Sequence, residues 1–197
     1  MAIHLYLDAA LTQPISEGDD SSPDADNYNG TDGESKDRQI WVANEQALLV
    51  GAMDDSQTGL TLDAPRFTDG ETIIVDAEQM QVQSGGGTTA LTVSRGYGGT
   101  TPAAHTDGAA VYSGYEYTGL VVEPIDETGS DESDWYSLAM TQVGLDSATP
   151  GETLNLGNKT HDQTLSFWRR CTVPSGTPVQ NKTDLKLRLS GSESPIL

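Results

Sequence analysis

The sequence predicts an all-β fold, a sandwich or barrel of many short strands, and three features carry that prediction. Helical periodicity is nearly absent: no long run places apolar residues at i, i+3, i+4 and i+7 between capping residues. Apolar residues fall instead in short alternating or continuous runs. Those runs are separated by Gly, Asp, Asn, Ser and Pro, the residues that make turns.

In chain order, the runs place strands at 3–7, 39–43, 47–51, 60–62, 72–75, 79–83, 90–94, 109–112, 119–123, 136–140, 153–156, 164–173 and 184–189. Residues 13–37 (QPISEGDDSSPDADNYNGTDGESKD) form the one long stretch without such a run. Their composition is that of a solvated loop or of an arm ordered on assembly. A second exposed loop is expected at 126–134 (DETGSDESD). In the middle of the chain, the alternation Ile73, Val75 changes phase to Met80, Val82. A one-residue slip flips a strand's face, so a tight turn or bulge belongs at 76–78. The run Gly85, Gly86, Gly87 then turns the chain toward Leu91 and Val93. Four or five short strands closing on themselves would make a small barrel-like unit over 47–113.

That unit carries a pattern: Asp69-Gly70-Glu71, Asp76, Glu78, Met80, Val82, Leu91-Thr92-Val93, Arg95-Gly96, Gly99-Thr100, Ala103-Ala104-His105, Gly108-Ala109 and Val111. In these residues it resembles a small β module that recurs in structural proteins of tailed bacteriophages and related archaeal viruses. The resemblance implies an interaction or spacer unit, not a catalytic one. The flanking segments 39–44 (QIWVAN), 120–124 (LVVEP), 135–140 (WYSLAM) and 154–190 are similar to immunoglobulin-like β-sandwich domains of viral and cell-surface proteins. Together the two resemblances imply an immunoglobulin-like β-sandwich built from 1–46 and 114–197, with 47–113 inserted as a small β-barrel-like module. Exposed loop tips are where such insertions are tolerated best.

Charge narrows the function classes. Asp and Glu number 30 against 10 Lys and Arg, a net charge of −20 spread along all 197 residues. Self-repulsion of that size opposes compaction in dilute buffer, whereas molar salt shrinks the Debye length to about 3 Å and removes most of the cost. With only four lysines (Lys36, Lys159, Lys182, Lys186), the style resembles the proteomes of halophilic archaea. A nucleic-acid groove is disfavoured, because phosphates call for clustered Lys and Arg. No stretch has the length and hydropathy to span a bilayer, and the first residues lack a basic and apolar leader pattern, so no membrane partner is expected. Cys171 stands alone and excludes an internal disulfide.

No constellation reads as catalytic or metal-ligating, and no cofactor is expected. His105 has no flagged nucleophile and reads as a turn histidine bonding backbone or a neighbour. Arg95, at a strand end amid many acids, is expected to form a structural ion pair with Asp76 or Glu78. Those two carboxylates also have the residue types of a glycosidase pair, but their spacing is common on any acidic strand or turn. The acidic stretch 19–34 fails the calcium-loop register at both Gly30 and Gly33, leaving only non-specific cation binding by acidic loops. In Phe167-Trp168-Arg169-Arg170-Cys171-Thr172-Val173, alternation puts Phe167, Arg169, Cys171 and Val173 on one face, expected to be core with a buried thiol. Trp168 and Arg170 share the other face and are the leading subunit-contact candidates, with Trp41 and Trp135 beside them. Asn29, Asn158 and Asn181 fit the N-x-[ST] acceptor pattern. The expectation is a non-enzymatic virion protein assembled in the host cytoplasm, contacting other virion proteins and copies of itself. A tail-tip or baseplate component comes first, a capsid-surface decoration or turret protein second, and a glycan- or receptor-binding adhesin is the reading from another class.

Overall fold

A computed structural model describes residues 2–17, 23–128, 132–180 and 182–196. Asn181 lies outside them, as do Asp19 and Asp20 of the acidic stretch and 129–131 of the second loop. The described residues form thirteen β-strands and three short 3-10 turns, so the protein is all-β. The first two strands are β1 (Ile3–Tyr6) and β2 (Glu34–Asn44). Six short ones follow: β3 (Gln46–Leu48), β4 (Gly59–Thr61), β5 (Thr72–Val75), β6 (Glu78–Ser84), β7 (Ala90–Ser94) and β8 (Ala110–Ser113). The last five are β9 (Tyr115–Asp126), β10 (Tyr136–Ala139), β11 (Leu154–Lys159), β12 (Leu165–Val173) and β13 (Leu185–Pro195).

Strands from the two ends of the chain build a sandwich. One antiparallel sheet runs β1-β2-β12-β10 and the other β11-β9-β13. Their inner faces meet in one core: Ile3, Leu5, Ile40, Val42, Leu138 and Phe167 from the first sheet, Tyr117, Leu120, Val122 and Leu156 from the second. The two sheets make a four-plus-three antiparallel sandwich.

The strands of 46–113 pair only with one another, in the order β3-β8-β5-β6-β7-β4. The sheet curls until its two edges meet. Leu49 bridges Leu62, Val50 N–H donates to Thr61 O at 2.8 Å and Asp63 N–H to Leu48 O at 3.0 Å. Inside sit Phe67, Ile73, Val75, Met80, Val82, Leu91, Val93 and Val111, each almost fully buried. The phase change at 76–78 is a two-residue hairpin: Val75 pairs with Glu78, and Asp76 takes a left-handed φ of 52°.

Two segments differ from the reading of the sequence. Residues 34–37 belong to β2 rather than to a loop, and within the largely exposed segment 23–31 the side chains of Asp24 and Tyr28 reach the sandwich. β13 reaches Pro195, because its polar second half still pairs with β9. Both additions are polar, which is why runs of apolar residues do not mark them.

Candidate functional site

Three places gather chemistry-bearing side chains, and the first lies at the end of the module. Glu78, the first residue of β6, is 1% exposed, and five donors converge on its carboxylate. Arg95 Nε and one terminal nitrogen donate at 2.7 Å each, Ala103 N–H at 3.0 Å and Gly96 N–H at 3.1 Å, with His105 Nε2 at 2.9 Å. Arg95 is saturated as well, since its other N–H groups reach the carbonyls of Asp54, Gln57 and Ala103. Burial alone would raise the Glu78 pKa. Arg95, Ala103, His105 and Gly96 outweigh it and hold the carboxyl at about 2. Of the two acids considered for Arg95, the structure therefore joins it to Glu78. Asp76 instead meets His105 Nδ1 at 2.7 Å. Both ring nitrogens of His105 thus face carboxylate oxygens, Nδ1 that of Asp76 and Nε2 that of Glu78.

This explains much of the motif. Gly96 has φ +61°, and a Cβ there would lie 2.9 Å from Thr100 O. Thr100 Oγ1 accepts from Gln79 N–H at 3.0 Å. Arg95, Gly96, Thr100, Ala103 and His105 thus fold one loop back over the Glu78-Gln79 turn. His105, expected to bond backbone or a neighbour, is a buried bridge between two acids, its backbone paired with Met53. The sequence showed no partner for it because Asp76 and Glu78 are 29 and 27 positions away.

The second place is the far end of the sandwich interior. Arg169 shares the inward face of β12 with Phe167 and Cys171 and is only 1% exposed. Its guanidinium lies over the Tyr136 ring, 5.0 Å from the centroid. Asp24, from the acidic stretch, accepts from Arg169 Nε at 3.0 Å and also pairs with Arg38. Tyr28 accepts from Arg169 at 3.1 Å, while Lys36 and Arg38 both reach Asp26. On β2, Lys36 and Arg38 continue the inward-facing row of Ile40 and Val42. Asp24 and Asp26 of the acidic segment thus supply counter-charges to Lys36, Arg38 and Arg169.

The third place is the outer face of the β1-β2-β12-β10 sheet. Trp168 and Arg170 point outward there, each half-buried. Arg170 is held by Asp37 at 2.7 Å and 3.0 Å and by Asp146 at 2.9 Å. Trp41, on the same face, packs against Tyr6, Leu11 and Ala43. Trp135 is elsewhere: it packs with Tyr136, Cys171 and Val173 at the sandwich interior and does not join the other two. Asn29 and Asn158 are exposed. Among the described residues no group of three or more His, Cys, Asp or Glu is placed to hold a metal ion, and no helix is long and apolar enough to cross a membrane.

The two units are joined through buried polar side chains that the sequence did not reveal. Asn44, 1% exposed at the end of β2, donates to Ser113 O, Ser113 Oγ and Tyr115 O at 3.1, 3.2 and 2.8 Å. Gln79 Nε2 donates to Ile196 O at 2.6 Å, and His161 packs edge-on to Tyr112 with 5.7 Å between ring centroids. No known family model matches the chain, and no curated protein matches it.

Proposed function

We infer that the chain is a non-enzymatic building block of a tailed virus particle, placed at the tail tip or baseplate and working through contacts with neighbouring subunits. The observation that carries this reading is what the motif residues do. Arg95, Gly96, Thr100, Ala103 and His105 spend their hydrogen bonds on closing a loop over Glu78, as a spacer module requires. The outer sheet face with Trp168 and Arg170 supplies the residue types enriched at interface centres. The charge of −20 fits a salt-rich host. A density map of purified particles tests it: the reading expects repeated copies of this two-part shape at the tail tip. Copies on the capsid surface would move the assignment to a decoration protein, and their absence from particles would end it.

One observation favours a second reading, a glycan-binding adhesin. Trp41 and Trp168 share the outer sheet face, near Gln39 and Asp37. Stacking platforms beside planar hydrogen-bonding groups suit sugars. Binding to a glycan array that disappears in the double variant Trp41→Ala, Trp168→Ala would favour it; Trp135, inside the sandwich, is not expected to matter.

A further inference from the structure

We propose that Lys159 and Asn44 form a covalent cross-link, the lysine amine displacing the asparagine side-chain nitrogen to give an amide between β11 and β2. Lys159 Nζ lies 2.5 Å from Asn44 Oδ1, and both residues are 1% exposed. Two features set this pair apart from the chain's other Lys and Arg contacts. Among the described residues, no carboxylate lies within ion-pair distance of Lys159, so its amine touches an amide and the Thr160 carbonyl at 3.0 Å. Its electrophile is also fixed in place, because the Asn44 Nδ2 protons are committed to Ser113 and Tyr115. Burial lowers the lysine to about 8, with the charge of Asp162 working the other way, so a neutral amine is within reach near neutral pH.

The step balances without any co-reactant. The Nζ lone pair adds to Asn44 Cγ, the Cγ–Nδ2 bond breaks, and ammonia leaves carrying a proton that Nζ gives up; nothing is oxidised or reduced. Ser113 Oγ accepts from Nδ2 at 3.2 Å and itself donates to Ala2 O at 3.0 Å, so it orients the nitrogen that departs while the proton ammonia needs comes from Nζ. Enclosure holds the two groups together, the condition under which an otherwise slow bimolecular reaction becomes unimolecular. The bond would tie the four-stranded sheet to the three-stranded one where the module departs. The proposal does not depend on the assembly reading.

The intact mass of the denatured wild-type protein tests it. The expected result is a mass short of the sequence mass by one ammonia, with trypsin unable to cut after Lys159 and a branched peptide joining the Asn44 and Lys159 segments. Lys159→Arg and Asn44→Ala are each expected to return the full mass. A wild-type protein at full sequence mass, cleaved normally after Lys159, overturns the proposal even if neither variant folds. So does an ammonia loss that maps to Asn29-Gly30, where a cyclic imide would form instead.

Discussion

Glu78 shows how one side chain can organise a loop. Its carboxylate is buried, yet stays ionised because five donors surround it. Removing its charge strands Arg95 inside the module, and losing one partner of a buried pair costs about 3–5 kcal/mol. Glu78→Gln is therefore expected to destabilise the protein by that amount in urea titration, whereas Asp76→Asn, whose side chain is two-thirds exposed, should cost much less. The carboxyl pKa falls from 4.5 to about 2 on folding. Between those values the unfolded chain binds more protons than the native one, so stability is lost as pH drops from 4.5 toward 2. An acid titration followed by near-UV circular dichroism should show this loss, reduced in Glu78→Gln. The partnership of Arg95 with an acid could be anticipated from sequence, since a lone arginine beside two nearby carboxylates has few other options. The choice between those acids could not, because it depends on a hairpin that turns Asp76 outward and Glu78 inward.

At the scale of elements, the sandwich is completed by the segment least like an element. β2 and β12 present Lys36, Arg38 and Arg169 to the interior beyond the apolar core, and residues 23–31 bring Asp24, Asp26 and Tyr28 to meet them. Asp24→Asn leaves Arg169 buried without its anion and should cost about 3–5 kcal/mol. Combining it with Arg169→Met should recover most of the loss, which a double-mutant cycle in denaturant would read. Thirteen strands were legible wherever apolar residues alternate, and the tight turn at 76–78 followed from the phase change. The start of β2 and the end of β13 were not, because inward positions there are charged or small and alternation of polarity vanishes. Residues 34–37 of the acidic stretch were read as loop for the same reason. Composition reports a segment's average polarity, whereas the contacts of Asp24 depend on Arg38 and Arg169, 14 and 145 positions away.

For the molecule as a whole, charge sets the conditions under which these cores hold. Nine of the ten Lys and Arg side chains bond to acids or buried polar groups, leaving most of the 30 acids to repel one another. Thermal unfolding is expected to shift to higher temperature between dilute buffer and molar salt, a shift that a chain stabilised by exposed ion pairs alone would not give. The N-terminal strand adds a pH limit on the alkaline side. Hydrogen bonds to Glu17 first, then Glu45, raise His4 from 6.5 to about 9. Between those values the native state holds the extra proton, so stability falls as pH rises through the interval, by roughly 1–2 kcal/mol after solvent screening. His4→Gln should flatten that slope. The central claim, a subunit built to meet its neighbours, is tested most directly by light scattering in molar salt across a wide range of protein concentration. The account predicts a mass that grows with concentration and falls back toward one chain in the double variant Trp168→Ala, Arg170→Ala; a wild-type monomer at every concentration would contradict it.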